Sequence, residues 1–421
     1  MNLARATLLS GIVTVARIAS GLILNKLYAV VLGPAGLAAV GQFTTFSAIA
    51  HGLSTGGLAN GVTRYVAAGP ANLPAILGTA FAVCMGATLV ASVVLFSLPG
   101  ELTRLILGSA DHRMAVVLVA LANLLIAPSA LLLAVLSGWK DVRTVTLFGL
   151  IGVGLSLCAT LLLTLSMGLF GALIAQAVAQ GLLAVVLFAY FWRSKRLRGR
   201  DFSRPAKSAL RGLLQFSLMS VVAALALPLA LIFIRNHIAE TLSWTEVGYW
   251  QGVWRISEVY MLAVTGAFTT YLLPRLSELS RAGELRRELA KTFRLMVPAV
   301  ALMGLTIYAF RHSVVRILFD EKFLPMADLF AFQLIGDVAK ISTWILAYML
   351  IARSLTLAYV VVEVAFAALF VASALYCVDR FGLVGATYAY AFTYAAAFIF
   401  LAIIVARHLA GVARREAVQG A

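Results

Sequence analysis

"TLLSGIVTVARIASGLILNKLYAVVLG", residues 7–33, decides the fold. Read as a helix, it exceeds the ~20 residues that a bilayer's hydrocarbon core requires, and it is apolar enough to sit there. Yet Arg17 stands in its middle and Lys26 toward its far end. A membrane helix that keeps cations at the depth where they cost most must offer them surroundings other than lipid.

The chain has 421 residues, 62% hydrophobic and 12% charged, whereas soluble proteins carry about 25% charged residues. No polar segment is long enough to bury a core of its own, so the class is a polytopic membrane protein. The formal net charge of +16 fits membrane-flanking loops better than a nucleic-acid surface, and no nucleic-acid partner is expected. Cys84, Cys158 and Cys377 stand singly in apolar stretches, without CxxC or Cys/His spacing. They read as small core residues, with no metal expected. The N-terminal apolar run is interrupted by Arg17 and continues past any cleavage site, unlike a signal peptide.

Apolar windows predict about twelve spans. The first six cover 7–32, 36–66, 75–98, 114–137, 144–168 and 171–192. The second six cover 209–236, 246–273, 292–310, 326–351, 356–377 and 383–407. The segment between the sets, "RSKRLRGRDFSRPAK" at 193–207, holds seven Lys or Arg against Asp201 alone. The loop holding Arg275, Arg281, Arg286, Arg287 and Lys291 is basic too. With Lys140, Arg143, Arg353, Arg5, Arg407, Arg414 and Arg415, these place both termini on the cytoplasmic side. The expected organisation is an N-terminal lobe (1–192), a basic cytoplasmic linker (193–208) and a C-terminal lobe (209–421). A faint echo of "AGLAAVGQF" (35–43) in "VGYWQGV" (247–253), offset by about 212 residues, suggests a parallel repeat.

Of the charged residues inside these spans eight stand out: Arg17, Lys26, Arg64, Arg255, Lys340, Glu258, Asp337 and Glu363. Each costs roughly 2.5–3.5 kcal/mol at a helix centre, so they face one another or water. Arg255 and Glu258 are three apart and share a face, as do Asp337 and Lys340, so intrahelical neutralisation is one outcome for both pairs. Glu363 is free to pair with a neighbouring span. Arg17, Lys26 and Arg64 have no local anion, although Lys26 and Arg64 lie near span ends and can snorkel. Arg17 is too deep for that. Nine residues separate Arg17 from Lys26, about half a turn out of phase, so a shared cavity needs a bend, for which Gly21 is the candidate.

Guanidinium groups in a wet cavity suit carboxylate or phosphate ligands, so an anionic substrate, best a diphosphate headgroup, is expected. Asn25, Gln42, Asn60, Thr63 and Gln251 are placed either to hydrogen-bond sugars or to bond helix to helix. His51 reads as a bundle histidine or a proton relay. Pro128, Pro228 and Pro298 should kink their spans. Trp244, Tyr249, Trp250 and Trp254 suggest an interfacial belt or a platform for sugar rings. No GxSxG, HExxH, P-loop or DxD signature occurs, and no cofactor is expected.

The stretch "SWTEVGYWQGVWRISEVYMLAVTGAFTTYLLPRLSEL" (243–279) resembles the Wzx-type flippases of the multidrug/oligosaccharidyl-lipid/polysaccharide exporter superfamily. So do the N-terminal stretch through Phe43, "NGVTRYVA" (60–67) and "DLFAFQLIGDVAKISTWILAYMLIAR" (328–353). The likeness covers essentially the whole chain and is nearest to the branch that flips lipid III in enterobacterial common antigen synthesis. It implies an all-α protein with two six-helix lobes around a central cavity. Its implied substrate is an undecaprenyl-diphosphate-linked oligosaccharide, lipid III or an O-antigen-type unit, moved by alternating access across a bacterial inner membrane. Polymerase and chain-length proteins of the same pathway are implied partners beside membrane lipid. In that branch Lys26, Asp337, Lys340 and Glu363 match charges of the same type. Arg17 and Arg64 stand in place of lysine, and Glu258 in place of aspartate. Arg255 departs from the pattern, answering either to a different glycan or to Glu258.

The combined expectation is a transporter rather than an enzyme. Arg17, Lys26, Arg64, Arg255, Asn25, Asn60 and Gln251 would bind substrate. Asp337, Lys340, Glu363 and Glu258 would form a charge switch coupled to protons or sodium. A cation-coupled multidrug exporter of the same superfamily would need a cavity dominated by acids. A lipid II flippase usually carries two further spans. A membrane glycosyl- or acyltransferase would need a loop of clustered acids or a His/Asp base.

Overall fold

A computed structural model describes residues 3–69, 72–197, 202–203, 207–353 and 355–419, with the side chains of 3–8, 10, 207–209, 211–212, 214–220, 223, 356 and 417–419 outside that description. Arg198, Arg200, Asp201 and Arg204 of the basic segment therefore lie outside the described residues, as do the side chains of Arg5 and Lys207. The described chain is helical: α1 (Leu3–Thr55), α2 (Ala59–Ala68), α3 (Leu73–Ser97), α4 (Pro99–Leu107), α5 (Arg113–Gly138), α6 (Val142–Ser194) and α7 (Lys207–Thr241). There follow α8 (Trp244–Ala267), α9 (Leu273–Glu278), α10 (Ala282–Ala309), α11 (Arg311–Leu318), α12 (Phe330–Ala352), α13 (Thr356–Phe381) and α14 (Leu383–Gln419).

Ten described helical stretches are long and apolar enough to cross a membrane. Two of them, in α1 and α6, have about twice the length one crossing needs. Each is a pair of helices joined at a glycine, Gly33 (φ 68°) in α1 and Gly168 (φ 57°) in α6. Counting each as two gives the expected twelve, and the protein is an all-α, multi-pass membrane protein. Positive φ strains any side chain with a Cβ, so glycine is what lets the helix reverse there.

Two expected boundaries are corrected. The span 36–66 ends at Thr55, where Gly56 and Gly57 take positive φ and the chain restarts as α2. Hydropathy runs on through this break, but the backbone does not. Asn60, Thr63 and Arg64 therefore sit on a separate short helix. The basic loop of 275–291 is largely helical: Arg275 lies on α9, while Arg286, Arg287 and Lys291 lie on α10. Glu288 holds it together, accepting from Tyr271 (2.9 Å) and lying 3.9 Å from Arg275 and 4.0 Å from Lys291.

The chain divides into two compact units, Met1–Ile232 and Phe233–Ala421. The division falls within α7 because Leu213, Leu225 and Ile232 pack into the clusters of the first unit. In that unit α5 is the central element, packed against α1, α3 and α6. In the second unit α12 has the same place among α10, α13 and α14.

The units repeat each other in local detail. Gly168-Leu-Phe-Gly171 and Gly382-Leu-Val-Gly385 are the same turn, 214 residues apart (168 to 382). A Cβ on Gly171 would lie 1.8 Å from the Leu163 carbonyl oxygen, and one on Gly385 would lie 2.0 Å from that of Cys377. The turn after α5 bonds Trp139 N to Val135 O and Asp141 N to Leu136 O. The turn after α12 bonds Arg353 N to Met349 O and Leu355 N to Leu350 O, at the same offset.

Candidate functional site

The second unit buries a polar cluster built on α12. Asp337, with no exposed surface, accepts hydrogen bonds from Ser257 Oγ (2.6 Å), Tyr260 Oη and Tyr390 Oη (2.7 Å). Two donors come from one face of α8, at i and i+3, and the third from α14. The buried Gln333 adds a bond from Nε2 to Ser257 Oγ at 3.5 Å. One turn along α12, buried Lys340 does not meet the Asp337 carboxylate as a contact ion pair. Its Nζ lies instead 5.2 Å from the ring centre of Trp254, 5.0 Å from Trp344, 5.7 Å from Tyr390 and 5.4 Å from Tyr394. Four aromatic faces at this range form a cation–π cage, each face being worth about 0.5–2 kcal/mol. Asp337 and Lys340 thus interact electrostatically without a contact pair: hydroxyls meet the carboxyl group, and aromatic rings meet the amine.

The cage continues into a second charged group. Trp254 donates Nε1 to Glu258 Oε1 at 3.0 Å, and Arg255 donates Nη1 to Glu258 Oε2 at 3.2 Å, so this expected i,i+3 pair does form. Arg235 of α7, 2% exposed, lies close enough to Arg255 and Glu258 to interact electrostatically with both. The sequence reading missed Arg235, which falls one residue before the end of an expected span. It missed Tyr390 and Tyr394 as well. Their i,i+4 spacing in "YAYAFTY" puts both rings on one face, which was the available signal. Glu363 bonds Tyr359 on its own helix and lies close enough to Tyr394 of α14 to interact with it electrostatically.

The tryptophan expectations are corrected here. Trp250 (1% exposed) and Trp254 (4%) are core residues, not an interfacial belt. Trp254 packs edge-on against Trp250 (5.6 Å) and Tyr390 (5.2 Å). Gln251 is also buried, and its Oε1 has no hydrogen-bond partner among the described residues.

In the first unit, Arg17, Asn25 and Lys26 lie on α1, while Asn60 and Arg64 lie on α2. Arg17 is exposed, without a carboxylate partner among the described residues. The exposed apolar residues Ile12, Val15 and Ile23 project from roughly the opposite side of the helix at 100° per residue. Helical backbone persists through Gly21, and within α1 only Gly33 departs from it, so the expected flex at Gly21 is absent. Arg17 and the part-buried Lys26 therefore leave α1 on opposite sides. Asn60 and Arg64 are exposed on α2. That helix is fixed by Val62 and Val66 in the core and by Thr63 Oγ1, which donates to Ala134 O at 3.1 Å. Thr63 thus bonds helix to helix, and so does Gln42, whose Nε2 reaches Ile232 O at 3.4 Å.

The first unit has its own joint at the matching place. Asn123 of α5, 214 residues before Asp337 (123 to 337), donates to Ser54 Oγ (2.5 Å) and Ala50 O (3.3 Å) and lies 3.4 Å from His51 Nδ1. His51 and Ser54 stand at i and i+3, as Ser257 and Tyr260 do. An amide in one unit thus occupies the place of a carboxylate in the other. Of the cysteines, Cys84 is buried, but Cys158 is exposed, against expectation.

The sequence profile of the polysaccharide biosynthesis protein family matches residues 28–328. The lipid III flippases of Escherichia coli (strain K12) and Shigella flexneri are each 34% identical over 400 residues, covering 94% of this chain and 96% of theirs. Among solved structures, an inward-facing multidrug resistance MATE family transporter of the MOP superfamily superposes with a TM-score of 0.79 at 17% identity, covering 96% of both chains. A MOP superfamily transporter from Pyrococcus furiosus, described as having a binding pocket of reversed polarity, gives a TM-score of 0.72 at 16% identity over 97% and 96%. These structural likenesses are of fold.

Proposed function

The chain belongs to the polysaccharide biosynthesis protein family, and from that premise we propose that it is a flippase for a polyprenyl-diphosphate-linked oligosaccharide of the lipid III type. The observation that carries this reading is the near end-to-end match to two lipid III flippases. The charge inventory agrees with it: cations outnumber acids among the membrane-embedded ionisable groups, as an anionic headgroup requires and a cationic drug would not tolerate.

In this reading Arg17 and Arg64 of the first unit hold the diphosphate while the polyprenyl tail stays in lipid; Lys26, on the opposite side of a helix that is straight at Gly21, does not share that contact. Paired N–H donors suit phosphate oxygens. Asn25 and Asn60 of the first unit address the glycan. The cluster of Asp337, Lys340, Glu258 and Glu363 is the switch. Because Lys340 and Asp337 are solvated separately, changing the charge on either upsets its own shell, hydroxyls for one and rings for the other. An ion coupled to transport, proton or sodium, would act on the carboxylates here. Substrate then shifts the population between states by its differential affinity for them. The membrane is the bacterial inner membrane, with both termini cytoplasmic, and the polymerase and chain-length proteins of the pathway are expected neighbours.

The test is complementation of bacterial strains that each lack one flippase, scoring which surface glycan returns. Restoration of enterobacterial common antigen is the expected result. Export of cationic dyes without any restored glycan would reverse the reading. Arg17→Gln should abolish display at unchanged protein level. Unchanged display would take Arg17 out of the mechanism.

A further inference from the structure

His51 faces α5 inside the first unit, and the hydrogen bonds around it fix where its proton sits. Ser54 Oγ donates to Ala50 O at 2.8 Å, so its hydrogen is committed and it accepts from Asn123 Nδ2 at 2.5 Å. Ala50 O, a carbonyl, also accepts from Nδ2, at 3.3 Å. The amide is thereby oriented with Oδ1 toward His51 Nδ1, 3.4 Å away. An amide oxygen only accepts, so Nδ1 carries the proton, and in the neutral ring Nε2 is a bare base. Nε2 has no hydrogen-bond partner among the described residues, and the ring is only half-buried. Joining α1 to α5 does not by itself call for an imidazole, since a glutamine amide could make the same bond to Asn123.

The elements around α1 keep charge away from this ring. α3 has no acidic or basic residue, only the buried thiol of Cys84. α5 has Arg113 alone, at its first residue. α6 has Arg143 and Arg193 near its two ends, and α4 has Glu101 and Arg104. α7 comes close, its Ala224 Cβ 3.3 Å from where a Cβ on Gly52 would sit, and it has no charged residue between Arg211 and Arg235. On α1 itself Lys26 lies 25 residues before His51 (26 to 51), and Arg17 lies further still. None of these, nor Arg64 of α2, acts on His51 electrostatically; the polar group that bears on it is Asn123. No fixed charge therefore locks the imidazole in one protonation state.

The two joints exchange parts. In the second unit a carboxyl group stands on the central helix, α12, and hydroxyls at i and i+3 of α8 serve it. In the first unit a neutral amide stands on the central helix, α5, and an imidazole takes the first of the two partner positions. Each joint thus holds a group able to exchange a proton.

We propose that His51 Nε2 is the proton-binding site of the first unit: it takes a proton from water while Nδ1–H stays on Asn123, and the imidazolium couples proton movement to transport. The joint survives both states, because Asn123 Oδ1 accepts from imidazole and imidazolium alike. The new charge appears in the unit that carries Arg17 and Arg64, where it favours an anion. Proton and headgroup should therefore promote each other's binding. Coupling to transport rests on the flippase reading; proton uptake does not.

The experiment uses the full chain, labelled with ¹⁵N-histidine in lipid bilayers and read by solid-state NMR as a function of pH. His51→Gln, whose amide still donates to Asn123, identifies the His51 signals as those it lacks. At high pH they should show a proton on Nδ1 and a bare Nε2. As pH falls both nitrogens should become protonated, in one step between about pH 5 and 8. Asn123→Asp sets a carboxylate against Nδ1–H and should raise that step by about 1–3 pH units. A neutral ring with its proton on Nε2, no change of state over this range, or an unmoved step in folded Asn123→Asp would overturn the proposal. If Asn123→Asp does not fold, the tautomer and the step in wild type decide. In a complemented strain, glycan display should depend on the pH of the medium, and His51→Gln should flatten that dependence at unchanged protein level. An equally pH-dependent His51→Gln would separate the proton from transport and overturn the coupling. Failure of wild type to restore any glycan would instead refute the flippase reading, with the NMR step still deciding the proton site.

Discussion

Asp337 and Lys340 stand three apart on α12, a spacing that suggests mutual neutralisation, yet most of the partners around each come from other helices. Three hydroxyls converge on the carboxylate. Asp337→Ala strands them without an acceptor at about 1–3 kcal/mol for each buried group left unsatisfied. Asp337→Asn keeps one acceptor oxygen. The alanine variant should therefore melt at a lower temperature than the asparagine variant, as read by differential scanning fluorimetry in detergent, and the reverse order would refute this account of the joint. Lys340→Met should fold, since a thioether packs well among aromatic rings, but should abolish glycan display because the cation is gone. Normal display by that variant would show the charge to be dispensable. The ionisable members of this cluster were legible in the sequence because charge in an apolar window is conspicuous. Their surroundings were not: Ser257, Tyr260, Trp344, Tyr390 and Tyr394 are what any apolar helix also uses for packing, and only tertiary contact distinguishes a cage from a core.

Among the elements, the two glycine turns bear the tightest constraint. At Gly171 and Gly385 a Cβ would overlap a backbone carbonyl that cannot move aside. Gly171→Ala and Gly385→Ala should both be severely destabilising, and about equally so, measured as the yield of folded protein after mild detergent extraction. Gly21 is the contrast. It has helical backbone and open space around its missing Cβ, so Gly21→Ala should be neutral or stabilising by up to about 1 kcal/mol. A loss of transport without loss of stability in that variant would restore the hinge that the backbone lacks. Hydropathy placed most spans because a long apolar window admits little else in a membrane. It failed at Thr55, where Gly56 and Gly57 stop the helix without interrupting the apolar run, and that error carried Asn60 and Arg64 into a span they do not belong to.

At the scale of the whole molecule, the first unit ties the end of α6 to its beginning. Asp141 caps α6 through Thr144 N (3.2 Å) and also pairs with Arg196, beyond the helix's last residue. The bond from Arg196 is the largest influence holding the Asp141 carboxyl below its ordinary range. A depressed carboxylate stabilises above its unfolded-state pKa and loses that contribution as pH falls through the lowered folded value. The gap in melting temperature between wild type and Asp141→Asn should accordingly be present at pH 7 and close in acid below the ordinary Asp range. The pair is largely solvent-exposed, so the gap is small and shrinks with salt. A gap that widened in acid would contradict the assignment. The internal echo read in the sequence was faint because apolar helices resemble one another by chance. The repeat is clearest where chemistry is least forgiving, at the two GLxG turns and at Asn123 and Asp337. The four rings around Lys340 have a practical corollary. An ammonium wrapped in π-electron density is sheltered from acylating reagents, so the speed at which a succinimidyl ester modifies this one lysine is a clock for how often its wrapping opens.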